Sequence, residues 1–243
     1  MDERKLLQDG ANILGIDLSD NQIEQFMLYK KLLLEWNEKM NLTAITDDIE
    51  VITKHFLDSL TMNKALDMAK VNTLIDIGTG AGFPGLVIKI AFPHIRVTLV
   101  DSLKKRLNFL EEVIMQLGLK EVVCVHQRAE DLGKQKEYRE AFDVCASRAV
   151  AHLSVLSEYT IPFVKVNGYL IALKGQKLDE ELEQGKKALE ILGARLDEIM
   201  DATVPGTDIH HRIAKIKKIR QTAFKYPRKA GEPAKMPLGS SFI

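Results

Sequence analysis

A short apolar run feeding into alternating glycines, Thr73-Leu-Ile-Asp-Ile-Gly-Thr-Gly-Ala-Gly-Phe-Pro-Gly85, sets the terms for the rest of this chain. Leu74, Ile75 and Ile77 flank Asp76. Gly78, Gly80 and Gly82 alternate, and Pro84 precedes the apolar segment Leu86 to Phe92. The pattern predicts a buried strand, a tight turn and a helix whose first turn carries a proline. Glycines at this spacing permit positive φ and let a ligand approach the main chain closely.

Two ligand classes compete for such a turn. A dinucleotide fold wants G-x-G-x-x-G, with a pyrophosphate resting on the helix N-terminus. Here the spacing is G-x-G-x-G, and Asp76 stands where it would repel a pyrophosphate. S-adenosylmethionine carries a sulfonium, an ammonium and a ribose but no phosphate, and it tolerates that acid. The methyl-donor reading therefore leads over a nicotinamide oxidoreductase. Asp76, Gly78, Gly80, Gly82 and Phe83 become candidate cofactor residues.

A second strand, Ile95 to Asp101, ends in an acid twenty-five residues beyond Asp76. That is the distance at which a Rossmann-like unit places the carboxylate that accepts from both ribose hydroxyls. The alternative is that Asp101 caps the next helix, but capping can be left to Ser102, so the ribose role leads. Lys104, Lys105 and Arg106 open that helix, where cations oppose its macrodipole and invite a phosphate contact. A third strand, Glu121 to Val125, leads to Arg128, Ala129, Glu130 and Asp131. The adenine amino group needs an acceptor there, and Glu130 or Asp131 with the Ala129 backbone supplies one. A fourth strand, Phe142 to Ala149, ends in Arg148, beyond the carboxyl ends of the central strands where open α/β sheets bind ligands.

The flanking segments complete the organisation. Residues 1–45 are expected to form a helical cap packed on the main domain, with Ser19 or Asp20 capping its longer helix. His55 and Asp58, three residues apart, share a face near the ligand or serve structure alone. The main domain spans 46–220. It includes a helix from His152 to Lys165, a strand from Gly168 to Gly175, a charged helix from Leu178 to Leu192 and two late strands near 195–204 and 211–220. Residues 221–243 form a basic, proline-rich tail expected as a loop or partly disordered arm.

Formal net charge is zero, so no whole-molecule field favours nucleic acid, yet residues 210–243 carry nine Lys or Arg against the single acid Glu232. Such asymmetry marks a polyanion-facing end. Cys124 and Cys145 lie in strand-like runs and are expected as core thiols. Neither a metal-ligand spacing, a signal peptide nor a membrane-spanning run is visible. A cytoplasmic monomer without metal or membrane attachment is expected.

Taken in order, Trp36-Asn37, Asn41-Leu-Thr43, His55-Phe-Leu-Asp-Ser59, Asp76 to Gly85, Asp101-Ser-Leu-Lys-Lys-Arg106, Ser147-Arg148-Ala149 and Ala172-Leu-Lys-Gly175 resemble the bacterial small-subunit ribosomal RNA guanine-N7 methyltransferases. The resemblance implies a Rossmann-like α/β fold of the class I S-adenosylmethionine-dependent methyltransferases. It implies a guanosine in the decoding-region loop of 16S rRNA as target, in the bare RNA or the small subunit. It further implies cofactor contacts at Gly78, Phe83, Ala129, Glu130 and Arg148, and RNA or catalytic roles for Lys105, Arg106, Arg128, Lys174 and Arg212. Arg148, Lys174 and Arg212 are the candidates for positioning RNA and transition state. Guanine N7 offers an unprotonated lone pair, so no general base is expected. A methyltransferase of another RNA, and an RNA-binding assembly module without turnover, are the alternatives.

Overall fold

The computed structural model describes residues 2–148 and 151–239; Met1, Ala149, Val150 and residues 240–243 lie outside it. The last residue of the Ser147-Arg148-Ala149 motif and the end of the tail are thus outside the described residues.

Two helices open the chain, α1 (Glu3–Ile13) and α2 (Asp20–Met40). Ser19 caps α2 in a reciprocal capping box with Gln22, which satisfies two otherwise orphaned backbone donors. A helical run from Asp48 then widens into a π turn over Ile52–Leu57. The remaining strands and longer helices are β1 (Thr73–Ile77), α3 (Gly85–Ala91), β2 (Arg96–Asp101), α4 (Lys104–Gln116), β3 (Val122–His126), β4 (Phe142–Arg148), α5 (Leu153–Thr160), β5 (Val164–Lys174), α6 (Leu178–Leu192), β6 (Ala194–Thr203) and β7 (His210–Lys218).

The seven strands form one sheet in the order β3-β2-β1-β4-β5-β7-β6. The first five run parallel, and β7 inserts antiparallel between β5 and β6. Chain order reverses between β1 and β4, so the loops leaving their carboxyl ends part there and open a crevice. All five residues of β1 are buried, as a central strand covered on both faces requires.

The helical cap shares the sheet's core. Leu7, Phe26, Tyr29 and Leu33 lie in one buried cluster with Leu74, Leu86 and Leu99. Tyr29 stacks between Phe56 and Phe83, at 5.3 and 5.7 Å between ring centres. α2 is thereby fixed against the glycine turn itself.

Two sequence expectations are corrected. The helix expected to reach Lys165 stops at Thr160, because Pro162 sits in a short 3-10 turn, and β5 begins at Val164. The tail is docked rather than loose over 221–239. Tyr226, Pro233 and Leu238 are buried, and Arg228 pairs with the wholly buried Glu158. Cys124 and Cys145 are free thiols. No helix is long and apolar enough to cross a membrane, and no cluster able to hold a metal ion occurs among the described residues.

Candidate active site

The glycine turn is built by main-chain geometry. The N–H groups of Gly78 and Thr79 both donate to the carbonyl of Val100, at 2.9 and 3.0 Å, which ties the turn to β2. Gly80 has φ +61, with no atom nearer than 4.0 Å to the place a Cβ would take, so its face is open to a ligand. Gly82, at φ +100, is the opposite case. A Cβ there would collide with the Tyr29 hydroxyl and lie 2.9 Å from Leu110.

Asp76 stands behind this turn and is wholly buried. Its Oδ2 accepts from the Thr79 hydroxyl at 2.8 Å and from the Gly85 N–H at 2.9 Å, bracing both ends of the turn. Oδ1 has no hydrogen-bond partner among the described residues. Burial pushes the carboxyl up to about 6, against the pull of those hydrogen bonds and of Arg148. The native state therefore holds this proton more tightly than the unfolded chain. The group's contribution to stability falls as pH rises from about 4 through about 6, by roughly 3 kcal/mol in all. Asp76→Asn is expected to lack that decline. Urea unfolding at pH 4 and pH 6.5 tests it: the variant should gain on the parent by roughly 2 kcal/mol, the part of the decline that falls in this window, and parallel profiles would refute it.

In front of the turn lies a cavity of about 530 Å³. Gly78, Gly80, Phe83, Asp101, Ala129, Glu130 and Arg148 line it, with Arg106 and Arg128 also in its wall. Asp101, almost wholly buried, accepts from Gly80 N at 3.0 Å and Arg106 Nη1 at 3.2 Å through Oδ2, and from Leu103 N through Oδ1. It faces the cavity and does not cap the helix: Leu103 is the N-cap residue, and no side chain caps that first turn. Thr43, the end of the Asn41-Leu-Thr43 motif, lines the cavity as well, as do Gln127 and Tyr159, to which sequence reasoning assigns no role.

Arg148, at the end of β4, organises the far side. Its Nη1 donates to the Lys54 carbonyl at 3.0 Å and to Asp58 Oδ2 at 2.8 Å. Its Nη2 lies 3.1 Å from His55 Nδ1, and its guanidinium lies 5.0 Å from the centre of the Phe83 ring. A guanidinium only donates, so His55 Nδ1 is the acceptor and Nε2 carries the hydrogen toward Thr43 Oγ1, 2.8 Å away. Burial, then the Arg148 charge, lowers His55 to about 4, and the ring is neutral near pH 7. It stacks on Phe83 at 4.3 Å. On Asp58, burial raises the carboxyl, but hydrogen bonds from His211 and Arg148 outweigh it and hold the group below the usual carboxylate range. His55 and Asp58 thus belong to the site.

Beyond this layer a second cavity, of about 390 Å³, shares His55 and Arg148 with the first and adds Lys54, Asp58, Lys174 and His211. Lys174 is buried, bonded to Glu181 at 2.7 Å and to the Ala151 carbonyl. Arg212 is its direct partner across the β5–β7 ladder but lines neither cavity; it pairs with Asp179 and Asp201. Lys105 is exposed on the first turn of α4 and lies outside both. Asp76 and Gly82 shape the turn from behind and line neither cavity. His211, 2.8 Å from Asp58 Oδ1, gave no signal in sequence beyond its place at the start of a late strand.

The cavity fits an adenosyl methyl donor in size and in donor set. Two buried acids, Asp101 and Glu130, face it, and an open backbone stretch at Gly80 allows close approach.

Comparison with known proteins agrees with this geometry. The sequence model of GidB, the rRNA small subunit methyltransferase G family, matches residues 22–208. A ribosomal RNA small subunit methyltransferase G of Alkaliphilus metalliredigens is 50% identical over 98% of this chain and 100% of its own length. One from Acetivibrio thermocellus is 53% identical over 97% and 96%. Among solved structures, M. jannaschii TYW2 in complex with AdoMet matches in fold with a TM-score of 0.50 at 18% identity, over 67% of this chain and 77% of that one. With the turn, the cavity and the motifs in one place, and with relatives of this identity over nearly the whole length, the chain belongs to the rRNA small subunit methyltransferase G family.

Proposed function

We propose that this protein transfers the methyl group of S-adenosylmethionine to N7 of a guanosine in the decoding-region loop of 16S rRNA. The observation that carries the reading is the pair of adjoining cavities with Arg148 and His55 as their common wall. The donor occupies the first, against Gly78, Gly80, Phe83, Asp101 and the Ala129–Glu130 segment. The target guanine enters the second, which is lined by Lys54, Arg148, Lys174 and His211.

When bound, the donor supplies a sulfonium methyl: the N7 lone pair forms the new N–C bond, the C–S bond breaks, and its electron pair returns to sulfur. N7 has no proton to lose, so the chain's residues have only to align the two reactants, and alignment alone lowers a barrier by several kcal/mol. The neutral His55 suits that role. It holds Thr43 and Arg148 in place and adds no charge beside a cationic donor. Asp101 and Glu130 orient the donor's hydroxyls and base. Lys105, Arg106 and Arg128 hold the RNA backbone from one side, and Lys174 with Arg212 from the other.

The test uses tritium-labelled donor with small subunits and bare RNA from cells that lack the protein. The expected result is label in 7-methylguanosine at one position of the small-subunit RNA. Label in another nucleoside would overturn the target. Donor binding with no transfer to any RNA would favour the assembly module instead.

A further inference from the structure

The C-terminal tail reaches the wall of the donor cavity. After β7 the chain crosses Arg139, whose guanidinium donates to the carbonyls of Gly133, Thr222, Ala223 and Tyr226 at 2.7 to 3.2 Å. Arg228 then closes on Glu158. Its backbone N, Nε and Nη2 reach the two carboxylate oxygens at 2.6 to 3.1 Å, and Nη2 also donates to the Met236 carbonyl. Glu158 is wholly buried on α5, and its neighbour Tyr159 lines the donor cavity. Three residues past Arg228, the Gly231 N–H donates to Glu130 Oε1 at 3.0 Å. Glu130 is buried and lines the same cavity, and its Oε2 receives no hydrogen bond among the described residues.

A carboxylate with one oxygen tied and one spare is an oriented acceptor. Glu130 sits in the segment after β3, and without the tail its side chain has rotamer freedom and no fixed direction. We propose that the C-terminal tail completes the donor site: by clamping Glu158 through Arg228 and Glu130 through Gly231, it aims the free Glu130 oxygen at the exocyclic amino group of the donor's base. The tail thereby sets selectivity for an adenosyl over an inosyl group, since hypoxanthine presents a carbonyl oxygen at that position and would meet the carboxylate acceptor against acceptor. This rests on the reading that the cavity takes an adenosyl donor. Arg228 and Gly231 act through Glu130 and are positioning residues.

The experiment titrates the full-length chain calorimetrically with S-adenosylhomocysteine and S-inosylhomocysteine. The parent protein should prefer the adenosyl compound by at least about tenfold, the scale on which a site built to bind an N–H rejects an analogue without one. Arg228→Ala and Gly231→Pro should each bring the ratio below about threefold, chiefly through the adenosyl compound; proline cannot take the φ of +83 found at 231 and has no N–H. Arg228→Lys should restore part of the ratio, and Lys229→Ala, on the exposed side of the tail, should leave it intact. A loss of packing alone would weaken both ligands equally. An unchanged ratio in folded Gly231→Pro, or no preference in the parent, overturns the proposal. Should Arg228→Ala fail to fold, Gly231→Pro decides alone, because the Arg228–Glu158 clamp remains in it. A parent chain that binds neither compound would instead sink the donor reading, which the labelled-donor transfer experiment tests separately.

Discussion

Arg148→Met is expected to lower methyl transfer, as kcat/KM, by about a thousandfold, equivalent to roughly 4 kcal/mol of transition-state stabilisation. The side chain does several things at once. It neutralises one face of Asp58, fixes the tautomer of His55, holds the Lys54 carbonyl and covers the Phe83 ring. Methionine fills much of the volume and does none of these. Asp58 is then left with His211, 2.8 Å from its Oδ1, as its remaining side-chain partner. Breaking one member out of a buried pair typically costs about 3–5 kcal/mol. His55 loses the donor that orients it, and with it goes the wall that keeps the two cavities in register. A displacement of about 1 Å between reacting groups can cost on the order of a hundredfold by itself. Arg148→Lys should recover only a small part, because one ammonium cannot reach Asp58, His55 and the Lys54 carbonyl in the planar fork that arginine presents. Single-turnover rates at saturating donor, with donor affinity measured separately, check the prediction. A variant that keeps more than a tenth of the parent rate would remove Arg148 from the centre of the site.

Which parts of this arrangement could be read from the chain follows from how far apart in sequence their partners lie. The half of the cavity made by Gly78, Gly80, Phe83, Asp101, Ala129 and Glu130 comes from the turns after three parallel strands, and each turn follows its strand directly. The strand pattern, the glycine spacing and the terminal acid are local signals, so the position of each residue in the fold was legible. Asp76 shows the limit of that logic. Its place at the strand was clear, but only the structure shows that it is spent bracing the turn from Thr79 to Gly85.

The other half is assembled over long distances. Arg148 meets Asp58 ninety residues away, and Thr61 meets His211 across 150. Nothing in the local pattern of either partner announces the other. The tail misled for a different reason. Its proline and lysine content describes a solvated arm, and composition does not register one ion pair. The available clue lay elsewhere, in Leu153-Ser-Val-Leu-Ser-Glu-Tyr-Thr160, an apolar helix carrying a single acid. A carboxylate that a helix buries on all sides must find a cation, and the tail brings the arginine that pairs with it.

Gly82→Ala and Gly80→Ala should separate the two jobs of the glycine turn, fold and ligand approach. At Gly82 a methyl group would collide with the Tyr29 hydroxyl and press on Leu110 and Leu86, at a φ of +100 that an L residue rarely adopts. The backbone term costs about 1–3 kcal/mol. Moving Tyr29 breaks its hydrogen bond to the Ala81 carbonyl and leaves a buried hydroxyl unpaired, worth about 1–3 kcal/mol more. Tyr29 cannot yield easily, since Phe56 and Phe83 hold it on both sides. The total, roughly 2–6 kcal/mol, is comparable to the whole stability of many domains, about 5–15 kcal/mol. Gly82→Ala should therefore unfold at much lower urea than the parent, or fail to accumulate as folded protein. Gly80→Ala meets nothing near its Cβ, and its φ of +61 is the left-handed region that costs an L residue about 1–2 kcal/mol. It should fold almost normally. Its methyl group would stand on the face of the turn that lines the donor cavity, so donor affinity should fall while urea stability drops far less than in Gly82→Ala. Equal losses of stability in the two variants would mean that the turn's glycines are all structural, and the case for a ligand lying against Gly80 would go with them.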